Sequence, residues 1–161
     1  MEYSYKFRIY PNKIQENLIQ RMFGCCRFVF NHYLSKRKEM YEQEGKTLNY
    51  YDCASDMTQL KKSLKWLKEV DATALQSALR DLDFAYQNFF RRVKQGGKPG
   101  YPRFKSKHDC RKSYKSKRVG INIKVLDKAV QLPKLGKVKC RISKEVKGRI
   151  LSAAVSQNPS G

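Results

Sequence analysis

Leu75, Leu79, Leu82, Tyr86, Phe89 and Val93 recur at alternating steps of four and three. That spacing lays them along one stripe of a helix, predicted over roughly 72–94, and such a seam needs neighbouring helices to cover it. Asp71 stands just before it as a predicted N-cap, since a carboxylate there can accept from the first free backbone N–H groups. The stripe reads as core, not as a cofactor pocket. The seam therefore commits the chain to a helical layer.

Other helices must supply the cover. Asn12 is a predicted N-cap for a helix over 13–23, with Ile14, Leu18, Met22 and Phe23 on one stripe, and Gly24 is expected to break it. A second helix, about 25–44, buries Phe28, Val29 and Leu34, shows a basic face at Lys36, Arg37 and Lys38, and stops at Gly45. Two helices joined at a glycine read as an ordinary hairpin or as a helix-turn-helix. The second begins apolar, where a recognition helix would carry polar base-readers. A third helix is predicted near 51–62, then a turn around 64–70 with Trp66 as a core anchor. His32 falls inside a helix and reads as structural.

The ends of the chain read differently. In residues 2–10, Tyr3, Tyr5, Phe7 and Ile9 alternate with Ser4, Lys6 and Arg8, the period of a half-buried strand that Pro11 ends. Its backbone groups need partners from elsewhere. Short strands are predicted over 121–125, 129–132, 138–142 and 150–157, with Leu132–Lys137 as a turn. In the third of these, Val138, Cys140 and Ile142 point one way and Lys137, Lys139 and Arg141 the other. One oily and one cationic face suit a sheet or small barrel that holds a nucleic-acid backbone. The fold class is α+β: strand 2–10 joins the strands after 120 in one β-barrel (1–11 and 95–161), and 12–94 is an inserted helical bundle. Asn158–Gly161 reads as a hairpin turn without its second strand, which suggests a longer natural protein.

Charge is sorted along the chain. Residues 1–90 carry 14 Lys/Arg against 11 Asp/Glu, a net +3, whereas residues 91–161 carry 21 against 3, a net +18. Self-repulsion makes so lopsided a half costly unless a polyanion offsets it. Nucleic acid fits better than membrane, because no basic amphipathic helix accompanies the charge. Lys94–Lys107, KQGGKPGYPRFKSK, has three glycines, two prolines, five Lys/Arg and no acid, so it is neither helix interior nor central strand. Tyr101 and Phe104 sit among those cations. Cations for phosphates and flat rings for bases or ribose describe a nucleic-acid contact. A solvated lysine-rich linker is the plainer reading. Beyond it, Lys105–Arg118 is expected to be irregular and basic.

Several classes are excluded or disfavoured. The N-terminus begins with polar residues and no apolar run reaches membrane-spanning length, which points to the cytoplasm. Cys25, Cys26, Cys53, Cys110 and Cys140 are odd in number and form no C-x-x-C pair, so reduced thiols are expected. There is no Walker loop, H-E-x-x-H or G-x-S-x-G. His32 and His108 have no metal-ligand pattern around them. Asp52 with Asp56, and Asp81 with Asp83, are the closest acidic groupings, short of the convergent carboxylates that two-metal nucleases need. No catalytic residue, metal site or cofactor is expected in the chain, which reads as a binding module.

Six segments in order then carry a resemblance. After the opening strand and Pro11-Asn12 come Arg27–Asn31 (RFVFN), Glu69–Asp71 with Ala74–Gln76, Ala85–Phe90 (AYQNFF), Gly100–Lys105 (GYPRFK) and Leu132–Gly136 (LPKLG). Together they resemble the N-terminal portion of the TnpB (OrfB) proteins of bacterial insertion sequences, relatives of the type V CRISPR effectors. The resemblance covers essentially the whole chain. It implies a wedge domain, an oligonucleotide-binding-like barrel, with a helical recognition domain inserted after its first strand. It also implies RNA-guided DNA endonuclease activity in the family, with a metal-dependent RuvC-like domain and a zinc ribbon that this sequence lacks; Mg²⁺ and Zn²⁺ belong to those domains.

The resemblance assigns partners too: a guide RNA and a double-stranded DNA target, base pairing reading the target while protein reads backbone shape and a short flanking motif. Tyr50, Thr73 and Gln76 match positions that face that duplex, and glutamine can pair with adenine. Ala72 and Thr73 are small where relatives carry larger side chains. The cations and rings expected to hold RNA or heteroduplex are Arg91, Arg92, Lys94, Lys98, Tyr101, Arg103, Phe104, Lys105, Lys107, Arg111, Lys112, Lys115, Lys117 and Arg118, with Lys36 and Arg37 from the helical half. A stand-alone helix-turn-helix regulator reading DNA through 25–38, or a general RNA-binding protein, remains the alternative at this level.

Overall fold

The structure, a computed structural model, describes residues 2–98, 100–108 and 112–158. In chain order it runs β1 (Ile9–Tyr10), α1 (Lys13–Glu44), α2 (Tyr50–Ser63), a 3₁₀ turn (Lys65–Glu69), α3 (Ala72–Lys94), β2 (Lys112–Lys117), β3 (Lys124–Val125), β4 (Ala129–Leu132), β5 (Gly136–Cys140) and β6 (Ser152–Gln157). The helices lie between β1 and β2, as the inserted bundle requires, and the α+β class holds.

Caps set the helix starts. Asn12 Oδ1 accepts from the Gln15 N–H at 2.8 Å, and Gln15 Oε1 accepts from the Asn12 N–H at 3.0 Å. Such a reciprocal box satisfies two donors that a helix start otherwise leaves unpaired. The Gln15 amide also donates to the carbonyls of Leu135 (3.2 Å) and Lys137 (2.8 Å), fastening the start of α1 to the β4–β5 turn. Asn49 and Asp52 form the same box at α2. At α3 the Asp71 carboxylate accepts from the Thr73 N–H (3.2 Å) and hydroxyl (2.6 Å).

The expected break at Gly24 does not occur: α1 is one helix of 32 residues. Glycine costs a helix interior about 1 kcal/mol. Here its neighbours Met22, Phe23, Cys25, Cys26 and Val29 are all buried, and their packing outweighs that cost. The helix does end at Gly45, whose φ of 67° a side chain would disfavour. Trp66 is also not the core anchor: it is 42% exposed and lies edge-on to Phe28, while its neighbour Leu67 is fully buried. The seam of α3 is buried from Leu75 to Tyr86, but Phe89 is half-buried and Val93 is exposed.

The strands form two antiparallel sheets, ordered β1-β5-β4-β3 and β2-β6, in place of one closed barrel. The predicted strand 2–10 shrinks to Ile9–Tyr10, paired with Cys140 and Lys139. Among the described residues one backbone bond prolongs it, from the Arg141 N–H to the Arg8 carbonyl (3.1 Å), and Tyr3 is 73% exposed. Strand 129–132 stands as predicted, and the turn after it narrows to 133–135; 121–125 and 150–157 are trimmed to Lys124–Val125 and Ser152–Gln157, and 138–142 moves two residues earlier to Gly136–Cys140. Strand β2 was hidden in the stretch expected to be irregular. The run Pro99, Asp109–Arg111 and Pro159–Gly161, which includes the predicted contact Arg111 and most of the predicted final turn, lies outside the described residues.

One core joins the layers: Met22, Leu34, Leu75, Leu79 and Leu82 from the helices with Tyr114, Val138 and Val155 from the strands. Cys25, Cys26 and Cys53 are free and buried within it, Cys140 is free and buried in β5, and burial pushes the Cys26 thiol up to about 12 and Cys53 up to about 11. These thiols stay protonated at neutral pH. Among the described residues no helix is long and apolar enough to cross a membrane.

One ion pair also sits inside. Arg37 Nη1 lies 3.2 Å from Asp83 Oδ1, and its guanidinium lies 4.1 Å from the Tyr86 ring centroid, joining α1 to α3. Removing one partner strands a buried charge, so Asp83→Ala should destabilise the fold by about 3 kcal/mol. Urea unfolding reads this directly; an unchanged midpoint would show that the pair does not hold α1 to α3.

Candidate nucleic-acid interface

Helix α3 organises the cations. At its N-terminal end the Lys117 N–H donates to Thr73 Oγ1 (3.1 Å), tying β2 to the helix. In the middle, Lys105 and Lys115 both act on Asp81, whose carboxyl is pushed up by burial and pulled back by those two ammoniums. Further on, the Tyr101 hydroxyl meets the Tyr86 hydroxyl at 3.1 Å, and its ring packs edge-on to Phe89. At the C-terminal end, Arg92 lies against Gly100. Residues 100–108 and 112–117 thus lie back along α3, from its end to its start. Thr73 to Arg92 is a rise of about 28 Å at ~1.5 Å per residue.

Along this path Arg91, Arg92, Lys94, Lys98, Arg103, Lys105, Lys107, Lys115, Lys117 and Arg118 are exposed, and Lys112 is half-buried. On β2, Lys115 and Lys117 stand opposite Ala154 and Ser152 of β6, small neighbours that leave the ammoniums clear. Phe104 is 55% exposed, but Tyr101 has most of its ring committed to Tyr86 and Phe89. The predicted RNA contacts are therefore brought together, with Tyr101 acting more as the fastener of its segment than as a free platform.

The cations predicted on α1 are not part of this surface. Arg37 is buried with Asp83, and Lys36 Nζ is paired with Asp56 Oδ1 at 2.7 Å. Asp56 also accepts from the Tyr33 hydroxyl (2.8 Å); partial burial opposes its charge, but the bonds from Lys36 and Tyr33 prevail and hold it below the usual carboxylate range. His32 packs on Phe28 and Tyr33, and burial together with Lys36 lowers its pKa, as a structural histidine requires. Asp52, Asp56 and Asp83 are thus occupied by caps or cations. Among the described residues no three His, Cys, Asp or Glu converge on a point that could hold a metal, so the residues present do not fit the divalent ions of a nuclease site.

Of the three positions matched to duplex reading, Thr73 and Gln76 lie in the N-terminal half of α3, and Tyr50 of α2 sits beside it. Gln76 is exposed there. Tyr50, at the start of α2, lies flat beneath the Arg80 guanidinium, 3.7 Å from its ring centroid. Thr73 faces inward instead, its hydroxyl engaged by Asp71 and Lys117.

Sequence reasoning missed two residues. Asn31 clamps the backbone of Lys105, accepting from its N–H at 2.7 Å and donating to its carbonyl at 2.8 Å. Lys105 Nζ then lies over the Phe30 ring at 4.5 Å. The signal was the co-occurrence of RFVFN and GYPRFK, two segments that turn out to touch. Arg80 was the second: it stands four residues after Gln76, on the same helix face.

Residues 1–46 match the helix-turn-helix domain model of the OrfB family of IS605-type elements. In this chain those residues hold β1 and the single helix α1, without an internal turn. The chain is 34% identical over 157 residues to the provisionally named RNA-guided DNA endonuclease InsQ of Escherichia coli (strain K12), covering 96% of this chain and 37% of that protein. It is 36% identical over 112 residues to another protein provisionally named an RNA-guided DNA endonuclease, from Streptomyces pristinaespiralis, covering 68% of this chain and 27% of the other. It is also 32% identical over 112 residues to virulence protein VsdF of Salmonella dublin, covering 64% of this chain and 92% of that protein. The chain thus spans about a third of the length of the two endonuclease relatives. Read with the order of its motifs and the helical insertion between its strands, it belongs to the TnpB (OrfB) family and corresponds to the N-terminal part of that family's proteins.

Proposed function

We propose that this chain is the nucleic-acid-binding portion of a TnpB-like, transposon-associated RNA-guided DNA endonuclease, and that it acts in the bacterial cytoplasm. Residues 12–94 form its helical recognition part, and 1–11 with 95–161 its wedge-like part. The row of cations along α3 holds guide RNA or the guide–target heteroduplex by its phosphates. The N-terminal half of α3, with Gln76 exposed and Tyr50 alongside, meets the duplex that flanks the target. Thr73 supports this face by holding Lys117 in place. The cutting chemistry, with its divalent metal, belongs to the nuclease portion of the longer relatives.

The observation that carries this reading is the return of residues 100–108 and 112–117 along α3, which sets cations from three parts of the sequence in one row. A stand-alone regulator reading DNA through 25–38 has less support, because Arg37 is buried and Lys36 is paired.

Replacing Arg91, Arg92, Arg103 and Lys105 by alanine should weaken binding to a structured hairpin RNA. It should also flatten the dependence of log K on log salt by about 3, since each lost phosphate contact on a single strand removes ~0.7 from the slope. Fluorescence anisotropy across a salt series measures both, and circular dichroism checks that the helices persist. Unchanged affinity and slope would overturn the proposal. A second expectation concerns chemistry. With Mg²⁺ and hairpin RNA present, the 161-residue chain should bind a randomised DNA duplex library and leave every strand intact on a denaturing gel. Metal-dependent cleavage by this polypeptide would overturn the non-catalytic assignment.

A further inference from the structure

A second cationic surface lies on the other sheet. In β1-β5-β4-β3, Val138, Cys140 and Leu132 are buried on one side. The two-residue period of a strand then turns Tyr10, Lys137 and Lys139 to the opposite side. The register shows which residues sit abreast there. Tyr10 is opposite Lys139, and Lys139 opposite Ala129; Lys137 is opposite Gln131, and Gln131 opposite Lys124. The bond from the Arg141 N–H to the Arg8 carbonyl carries the ladder one step further, adding Arg8 and Arg141 to the same face.

All five of these cations are exposed. Tyr10 is 46% exposed, with the Arg8 guanidinium 5.8 Å from its ring centroid. No Asp or Glu occurs in any of the four strands. A face that served solubility alone would intersperse both signs. A membrane-docking face would surround the ring with further apolar side chains, whereas Ala129 and Gln131 are the remaining neighbours. A flat exposed ring set among cations, with the small Ala129 on the far side of Lys139, is complementary to a nucleobase and its phosphates. The base must be unpaired, because bases in a duplex already stack on each other and hide their flat sides.

We propose that the outer face of this sheet seats an unpaired stretch of polynucleotide, one base stacked on Tyr10 and the adjoining phosphates on Lys137, Lys139 and Arg8. The site is distinct from the row along α3, which involves β2 and none of these four strands. Single-stranded RNA and single-stranded DNA share the chemistry it recognises.

The test uses the whole chain with a labelled short oligouridylate, the matching oligothymidylate and a duplex of equal length. Tyr10→Ala should weaken binding of the single strands by about 5- to 100-fold, the range for loss of one stacked base. Tyr10→Phe should retain it, and affinity for the duplex should hardly change. Replacing Lys137 and Lys139 by alanine should lower the salt slope for single strands by about 1.4. In the unaltered protein, photo-cross-linking with a 5-bromouridine oligonucleotide should place an adduct on Tyr10, which keeps the proposal testable even if a variant folds poorly. Equal binding of the two single strands would assign recognition to base and phosphate, and tighter RNA would add the 2′-hydroxyl; either supports the site. Undiminished single-strand binding by Tyr10→Ala, or adducts confined to residues 91–118, would overturn it. If the quadruple variant along α3 still loses hairpin RNA in that case, the proposed function stands and this site alone falls. If the Tyr10 effect appears while the quadruple variant binds normally, the reverse holds.

Discussion

The cationic row along α3 depends on the burial of one apolar seam. Leu75, Leu79, Leu82 and Tyr86 fix α3 against α1, and each buried side chain of that size contributes about 1.5–3 kcal/mol. Residues 100–108 and 112–117 are held along α3 by Tyr114, which shares the buried core, and by the polar contacts of Thr73 with Lys117 and Tyr86 with Tyr101. Each of those two hydrogen bonds is worth about 1 kcal/mol net. The seam therefore sets where the helix lies, and these contacts register the returning segment along it. A shift of α3 by one turn would carry the whole cationic row with it.

Charge alone does not say which cations can meet a ligand; their partners do. Arg37 and Lys36 each have a carboxylate within 3.2 Å, and Arg37 is also enclosed, so their charges are spent inside the protein. None of the described cations from Arg91 onward forms a salt bridge among the described residues. Two such charges about 10 Å apart in water repel by only ~0.4 kcal/mol, and physiological salt screens much of that. The row can thus persist in the free protein without unfolding it. The summed potential along about 28 Å of helix is still large enough to draw in a polyanion.

The sequence made the helices legible where their signals were local. Asn12, Asp71 and Gly45 act at single positions, and the four–three seam of α3 repeats often enough to be unmistakable. Gly24 misled because its propensity is local while the packing of Met22, Phe23, Cys25 and Cys26 around it is not. Strand β2 was obscured for a related reason. In KSYKSK the inward positions after the first lysine are Tyr114 and Ser116, and a serine does not look like core. The opening strand failed in the other direction. Its alternation is clear as far back as Tyr3, but a strand needs a partner as long as itself, and β5 supplies only Cys140 and Lys139. Of the site, the cations could be read from composition and order, and Gln76 only from the family resemblance. Asn31, Arg80 and Tyr10 could not, because each takes its role from a residue distant in the chain or across a register.

The glycines of 94–107 show how the two kinds of constraint meet. Their abundance suggested a backbone cleared for a ligand, and the structure supplies a nearer cause. A Cβ on Gly100 would stand 2.8 Å from Arg92 Nη1, so any side chain there would displace the guanidinium. Gly96, with φ +72°, turns the chain just after α3 so that it can come back along the helix. Gly97 closes that turn through its N–H to the Arg92 carbonyl at 3.1 Å. The glycines therefore act on the ligand at one remove: they let the backbone fold tightly against Arg92, and Arg92 is the group left facing outward. On this account Arg92 has its position fixed from two sides, by the last turn of α3 beneath it and by the returning backbone beside it. A cation held in that way loses less freedom on meeting a phosphate than a lysine on an open loop, so Arg92 should order the C-terminal end of the row while Lys98 and Lys107 contribute mainly charge.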